Sequence, residues 1–195
     1  MKPTQNWDRT TAQTGAVERL SPGGHICRIK GVETRQSRAG RDMLVLFIEI
    51  DEGTQYDGMM ERAWRSGKSF GRDKWPNTGT MYTLLTDKDG NTNPRFKGLI
   101  NAVEKSNSGY SWRWEEMTLK GKTIGVVFGE EEFMGNDGTV RISIKPKYAC
   151  GITELVDQPV PPLKKLPEND NSGYAANDSG ANGGFTEVQD DELPF

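Results

Sequence analysis

Cysteine and histidine are scarce in this sequence. Its 195 residues include only two cysteines, Cys27 and Cys150, and one histidine, His25. Because the cysteines are far apart and no CxxC pair exists, we expect two buried thiols rather than a disulfide or a zinc site. A single histidine also leaves little material for general acid–base catalysis. The sequence therefore predicts neither a metal ion nor another cofactor.

Motifs that mark common enzyme classes are missing as well. The sequence has no GxxxxGKS/T phosphate-binding loop and no nucleophile elbow. Two carboxylate clusters are of the kind that holds Mg²⁺ for nuclease chemistry, namely Glu49, Asp51 and Glu52 in one and Glu130, Glu131 and Glu132 in the other. Charge runs in turns are usually solvated, however, and no lysine-bearing nuclease motif frames either cluster. We therefore expect a protein that is not an enzyme.

Long apolar runs are absent too. No stretch approaches the ~20 apolar residues that are needed to span a membrane. Residues 1–7 contain no apolar stretch of the kind that a signal peptide requires. These absences predict a cytoplasmic protein without a membrane partner.

Charge is present in both signs but is divided unevenly. From Asp157 onward eight acids stand against two lysines, a net charge of −6, whereas residues 1–156 hold 20 acids and 23 bases, a net charge of +3. The whole chain carries −3. A mildly basic body can attract a polyanion even when the protein as a whole is acidic.

Strand patterns dominate residues 18–156. Runs of apolar, β-branched and aromatic residues predict strands at residues 24–32, 43–50, 80–85, 122–129 and 139–145. The turn residues Asn136, Asp137 and Gly138 make the last two strands a hairpin. In its second arm Val140, Ile142 and Ile144 alternate with polar residues, which predicts one buried face and one basic, wet face.

One helix is predicted between the third and fourth strands. Asn93 can cap it, Pro94 suits its first turn, and four apolar residues fall on one face: Phe96, Leu99, Ile100 and Val103. We expect residues 61–78, between the second and third strands, to be irregular. Five strands with a helix at this position give the element order of an oligonucleotide-binding fold (OB-fold), although other small β-rich folds share it. The predicted fold is mainly β, an OB-fold-like five-stranded antiparallel barrel with one inserted helix.

The regions outside this body differ from it in composition. Residues 1–17 are polar and predict a flexible N-terminal arm, which leaves residues 18–156 as the folded domain. Residues 157–186 begin with several prolines and become almost entirely Asn, Gly, Ser, Asp and Ala, which predicts a disordered linker. Residues 187–195 form an acidic peptide that we expect to dock on a partner.

Basic and aromatic residues alternate in residues 62–75. Single-stranded nucleic acid requires cations for its phosphates and rings that stack on its bases. We therefore expect DNA contacts from Arg62, Trp64, Arg65, Lys68, Phe70, Arg72, Lys74 and Trp75. The alternative is a solvated loop whose tryptophans cover the core from outside.

Further cations on the predicted strands can extend this surface. They are Arg28 and Lys30 on the first strand and Arg141, Lys145 and Lys147 on the last. Exposed lysines on a sheet also protect its edges from aggregation, so each has a second interpretation. Tyr110, Trp112, Arg113 and Trp114 form another aromatic and basic cluster. Its position beside Met117 and Leu119 favours closure of the barrel bottom over DNA contact.

The last six residues join three carboxylates to an apolar end: Asp190, Asp191, Glu192, Leu193, Pro194 and Phe195. Phe195 can fill an apolar pocket while basic residues of a partner receive its α-carboxylate and the acids before it. Pro194 stiffens the peptide and lowers the entropy lost on docking. This ending resembles the C-terminal tip of bacterial and phage single-stranded-DNA-binding proteins, where an acidic run ends in Ile-Pro-Phe. Leu193 takes the place of the isoleucine here, and the resemblance covers the tip and the polar linker before it.

The resemblance implies a phage or prophage single-stranded-DNA-binding protein in the cytoplasm of a bacterial host. Such a protein coats single-stranded DNA without strong sequence preference during replication, recombination or repair, and its tip recruits replication and recombination proteins. Two alternatives stay open. One is a recombination accessory protein that anneals strands, and the other is a decoy that occupies the tip-binding pocket of host enzymes. The oligomeric state is also open, a homo-oligomer included.

Overall fold

A computed structural model describes residues 19–50 and 54–167 of the chain. The predicted arm at residues 1–17 and the predicted docking peptide at residues 187–195 lie outside the described residues. The same holds for residues 168–186, which make up most of the predicted linker.

Five strands form one antiparallel sheet. They are β1 (Gly23–Gln36), β2 (Asp42–Ile50), β3 (Thr80–Leu84), β4 (Thr123–Met134) and β5 (Val140–Cys150). Their order in the sheet is β3-β2-β1-β4-β5, which is the order expected of an OB-fold. β3 and β5 stand at the two ends of this order, so within the described residues the barrel is open between them. The predicted mainly β, OB-fold-like class is confirmed.

The helix after β3 forms as predicted. It is α2 (Pro94–Ser106), and the Asn93 side chain accepts a hydrogen bond from the Arg95 backbone N–H at 2.9 Å. The four residues predicted to form its apolar face are all buried: Phe96, Leu99, Ile100 and Val103. α2 therefore packs on the barrel and covers its core from one side.

The prediction of an irregular segment at residues 61–78 is wrong for residues 61–69, where the structure adds a helix to the one that was predicted. A second helix, α1 (Met59–Ser69), lies there. Its N-cap is Gly58, which has a left-handed backbone and no side chain to cap the helix. Only Met60 of this helix is buried. No capping side chain marks its start, but Met59, Met60 and Trp64 lie toward the protein at helical spacing, a signal that sequence reasoning missed.

The cap of α1 comes from a strand instead. Glu49 on β2 is 5% exposed, and its Oε1 accepts hydrogen bonds from the backbone N–H groups of Ile50 and Met60, each at 3.0 Å. Its Oε2 accepts from the backbone N–H of Glu61 at 2.7 Å. A carboxylate is favoured at a helix N-terminus, where the backbone N–H groups have no partner within the helix. Glu49 therefore joins α1 to the sheet, while Asp51 and Glu52 of the same sequence cluster lie outside the described residues.

The core lies on the inner face of the sheet. It includes the largest fully buried side chains of the described residues, among them Leu20, Ile29, Leu44, Leu46, Ile48, Ile50, Met60, Leu119, Ile124 and Phe128. Cys27 and Cys150 are buried free thiols, as expected. Within the described ranges, no helix is long and apolar enough to cross a membrane.

The β4–β5 hairpin departs from its predicted burial pattern. Ile144 is 4% exposed, but Val140 is 55% and Ile142 is 41% exposed. The prediction that Val140 and Ile142 face the core is wrong, because β1 pairs with β4 only as far as Phe128. The outer part of the hairpin therefore extends past the barrel.

Part of the predicted linker lies against the body. The Lys164 backbone N–H donates to the Glu130 carbonyl at 3.0 Å, and the Glu132 N–H donates to the Lys164 carbonyl at 2.9 Å. These bonds make a short parallel bridge along the edge of β4. Residues 157–167 therefore follow the barrel instead of leaving it at Asp157.

Candidate nucleic-acid interface

Three aromatic rings from different elements stand next to one another on the outside of the barrel. The Trp64 ring on α1 lies 6.0 Å from the Trp75 ring, and the Trp75 ring lies 6.5 Å from the Phe47 ring on β2. Trp75 donates its indole Nε1–H to the Ile48 carbonyl at 3.2 Å, which fixes the ring against β2. All three rings are half-buried. They form a continuous aromatic surface from α1 to the outer face of the sheet, which we call the Trp64–Trp75 surface.

The Phe47 ring lies over Gly31 of β1, where there is no side chain to displace it. Gly31 on β1 pairs with Phe47 across the sheet, and a Cβ atom on Gly31 would lie 2.9 Å from the Phe47 Cδ2 atom. β1 has an irregular register between Ile29 and Gly31, which places Lys30 at the irregularity. Sequence reasoning missed Phe47 and Gly31 as contributors to this surface.

Tyr82 on β3 lies farther along the same outer face. It pairs with Val45 of β2, which alternates with the core residues Leu44 and Leu46 and therefore points to the other side of the sheet. Burial raises the pKa of Tyr82, which the nearby Arg35 lowers in part and Glu33 raises. Phe47 and Tyr82 thus stand on β2 and β3, whose outer face is the one that binds oligonucleotides in OB-folds.

Two groups of cations and acids border the Trp64–Trp75 surface. Lys68 lies 5.0 Å from the centre of the Trp64 ring and 3.6 Å from the Asp73 carboxylate, to which the Trp64 Nε1–H donates at 3.1 Å. Arg65 pairs with Glu61 at 2.5 Å, and Lys30 lies 4.0 Å from the same carboxylate. Exposed ion pairs of this kind contribute little to stability, so a phosphate group can compete for these cations at low cost.

The segment after α1 carries exposed side chains that make few contacts with the other described residues. Phe70 is 80% exposed. Arg72 and Lys74 are exposed, and neither makes an ion pair with another described residue. Arg62, at the start of α1, donates to the backbone carbonyl of Asp57. An exposed ring beside two unpaired cations is the combination that single-stranded nucleic acid requires.

The cations on β5 that were predicted to extend the DNA-binding surface are all in ion pairs. Arg141 pairs with Asp137 at 2.7 Å, and both Lys145 and Lys147 pair with Glu131, at 3.6 Å and 2.6 Å. Burial raises the pKa of Glu131, but the hydrogen bond and charge of Lys147, helped by Lys145, outweigh this and hold the pKa below its ordinary value. All three predicted β5 cations are therefore ion-paired within the β4–β5 hairpin.

The two predicted cations of β1, Arg28 and Lys30, have different neighbours. Lys30 joins the Trp64–Trp75 surface through Glu61, as described above. Arg28 is half-buried and stands opposite Glu49 across the β1–β2 pair. Both β1 cations thus lie near the start of α1, Lys30 through Glu61 and Arg28 opposite Glu49, which caps the helix.

The second aromatic cluster gathers around the start of α2. The Phe96, Trp112 and Trp114 rings lie 6.2 Å to 6.4 Å apart in all three pairs. Tyr110 bonds Thr118 through its hydroxyl at 2.8 Å and lies under the Lys122 ammonium at 4.6 Å. Tyr110 and Trp112 pack against the core, in agreement with closure of the barrel bottom, but Trp114 does not.

Neither a model of a known protein family nor a curated protein matches this chain. Among the described residues, no group of three His, Cys, Asp or Glu side chains is placed to hold a metal ion.

Proposed function

We propose that this protein binds single-stranded DNA without strong sequence preference in phage replication or recombination, and recruits partner enzymes through its acidic C-terminal tip. The observation that carries the proposal is the surface of α1 and residues 70–75, where Trp64, Trp75 and Phe70 stand among cations. It lies beside the outer face of β2, within a sheet of OB-fold strand order.

The arrangement supports binding through two kinds of contact. Each stacked base contributes ~1–3 kcal/mol, and every base offers a flat face, so stacking is tolerant of sequence. Arg72 and Lys74 are available to phosphates, and the counterions that they displace make such binding weaker as salt rises. The aromatic and cationic groups thus predict affinity for the unpaired strand and little discrimination between bases.

The second half of the proposal concerns residues 190–195, which lie outside the described residues. Its support is the chemistry of this peptide, which offers an aromatic residue, Phe195, and three acids to a basic, pocketed partner. The partners would be replication and recombination proteins of a bacterial host. A tether between body and tip raises the local concentration of these enzymes on coated DNA.

Fluorescence anisotropy of labelled single-stranded oligonucleotides, with the matching duplex as control, tests the DNA-binding half. We expect sequence-tolerant, salt-sensitive binding with a clear preference for the single strand. Absence of binding to single strands would overturn the proposal and favour the decoy function. Faster annealing of complementary strands on addition of the protein would favour the annealing function instead.

Removal of residues 190–195 tests the recruiting half. We expect the truncated protein to lose binding to host replication and recombination enzymes in a pull-down. We also expect tighter DNA binding at low salt, because the acidic tip competes with DNA for the basic body. A truncated protein with both properties unchanged would refute this role of the tip.

A further inference from the structure

Trp114 combines two features that are unfavourable in a protein without a ligand. Its indole ring is 72% exposed, and its backbone has a φ of +64°, the only positive φ of a non-glycine residue in the described ranges. A bulky L-residue in this left-handed region is strained. Such strain is found most often where a side chain is held for a ligand.

The ring is held from beneath. Phe96, on the first turn of α2, is 4% exposed and lies 6.2 Å from the Trp114 ring at an angle of 47°. The Trp112 ring lies beside both, 6.2 Å from the Trp114 ring and 6.4 Å from the Phe96 ring, and the Trp112 backbone N–H donates to the Glu104 carboxylate at 2.8 Å. These neighbours fix Trp114 in place while its outer surface stays open.

The same cluster contains a second unfavourable feature, a buried hydrogen-bond donor without an acceptor. The indole Nε1–H of Trp112 is buried and has no acceptor among the described residues. Buried donors are nearly always paired in native structures, so an unpaired one calls for an explanation. Strain at Trp114 and an unpaired donor at Trp112 therefore occur within one group of rings.

Unpaired cations stand near this group in the sequence. Arg113 lies between the two tryptophans, and Arg95 and Lys97 flank Phe96. All three cations are exposed, and none makes an ion pair with another described residue. The nearby acids, Glu104, Glu115 and Glu116, equal them in number, so these cations are unpaired but not in excess. An exposed ring with unpaired cations repeats the composition of residues 70–75.

We propose that Trp114 is a second stacking platform for a base of single-stranded DNA. This inference rests on the proposed function and extends it to a longer bound strand. The Trp64–Trp75 surface lies at the beginning of β3, where Thr80 pairs with Phe47. The Trp114 group lies at its other end, since the Asn93 N–H just before α2 donates to the carbonyl of Leu85. The two groups thus stand near opposite ends of β3, which suits a bound strand longer than one that occupies the Trp64–Trp75 surface alone.

The test compares oligothymidines of about 5 and about 16 nucleotides, which span the range of site sizes of an OB-fold. Trp114→Ala should weaken binding of the long oligonucleotide by about tenfold, as expected when one base no longer stacks, and leave the short one unchanged. Trp114→Phe keeps a ring and should retain most of the affinity for the long oligonucleotide. Trp75→Ala should weaken both, because both occupy the Trp64–Trp75 surface.

Trp114→Gly separates binding from folding. Glycine adopts a positive φ without strain, so this variant should unfold at a temperature no lower than the wild type while it loses affinity for the long oligonucleotide. A variant that unfolds earlier and binds both oligonucleotides less well would show a structural role and overturn the inference.

The two proposals fail in different ways. A wild-type protein that binds neither oligonucleotide refutes the proposed function itself. A wild-type protein that binds both, with Trp114→Ala binding the long one equally well, refutes only the second platform.

Discussion

Residues 62–75 and the last strand of the β4–β5 hairpin were both expected to supply cations for DNA, and these cations have different surroundings in the structure. On the hairpin Arg141 pairs with Asp137, and Lys145 and Lys147 share Glu131. After α1, Arg72 and Lys74 have no ion-pair partner among the described residues. The number of cations in a region can be read from a sequence, but only the fold decides which of them are already neutralised.

The apolar residues of the two regions differ as well. The exposed ones near the hairpin tip are mostly aliphatic: Phe133, Met134, Val140 and Ile142. The α1 region instead has a pair of tryptophan rings 6.0 Å apart and a freely exposed phenylalanine. Because bases stack on flat rings, the proposed binding surface is α1 and residues 70–75 rather than the hairpin.

Replacement of the unpaired cations is expected to give the largest effect. Arg72→Ala with Lys74→Ala should weaken single-stranded-DNA binding about a hundredfold, since each charge-assisted hydrogen bond is worth ~1.5 kcal/mol. The slope of log affinity against log salt concentration should become shallower by about 1.4, because two phosphates no longer meet a cation. Anisotropy titrations over a salt series measure both quantities. The matched control is Arg141→Ala, whose ion-paired arginine should leave both unchanged, and an equal weakening in the control would end the distinction between the regions.

Loss of the Glu49 carboxylate is expected to come next. Glu49→Gln puts an amide where two oxygens now accept three backbone N–H groups, so at least one of these bonds is broken at a cost of about 2 kcal/mol. Denaturant unfolding measures this cost. Since α1 carries Trp64, DNA affinity should fall as well. Glu33→Gln on β1 is the control, because Glu33 pairs with the exposed Arg35, and its effect should be below ~0.5 kcal/mol. Equal stability of the two variants would show that Glu49 does not hold α1.

Phe70 gives a smaller effect with a clearer origin. Phe70→Ala should weaken DNA binding by about tenfold, which corresponds to one base that no longer stacks. The ring is 80% exposed, so the melting temperature should not change. Phe133→Ala, at an exposed ring of the hairpin, is the control and should bind as the wild type does. If Phe133→Ala weakens binding as much as Phe70→Ala, the hairpin belongs to the interface too.

Local sequence signals account for what could be predicted of the fold. Asn93 and Pro94 mark the start of α2, and the apolar runs mark all five strands, because these signals act within a few residues. α1 escaped prediction because its cap comes from Glu49, ten residues before the helix begins. The hairpin face was misjudged at Val140 and Ile142 because alternation does not tell how far a hairpin extends beyond its neighbours.

For the candidate site, too, the local sequence predicted some features, while others depend on contacts between distant segments. The composition of residues 62–75 predicted an aromatic and basic surface, and the structure brings Trp64, Trp75 and Lys68 together. Phe47 was predicted only to lie on a strand and not to belong to a binding surface. Its outward position depends on the pairing of β1 with β2, including the irregular register before Gly31. Pairing across strands is a long-range property that no single segment of sequence carries.

The smallest effect concerns acid stability on the hairpin. The pKa of Glu131 is held below its ordinary value of 4.5, so its ion pairs stabilise the fold above that pH and lose this contribution as the pH falls through the lower, folded-state pKa. Glu131→Gln should therefore be less stable than the wild type at pH 7, by no more than ~1 kcal/mol since the pair is partly exposed, and the difference should shrink as the pH falls through the lowered pKa of Glu131. Denaturant unfolding at pH 7 and over an acid series measures the difference, with Glu116→Gln as a control that has no ion pair with another described residue.

The same variant also tests the comparison of the two regions. Glu131→Gln releases Lys145 and Lys147 from their shared carboxylate. If α1 and residues 70–75 bind the phosphates, DNA affinity at pH 7 should stay that of the wild type. Tighter binding would mean that the freed lysines reach the DNA, in which case Glu131 suppresses a binding surface on the hairpin instead of merely stabilising it.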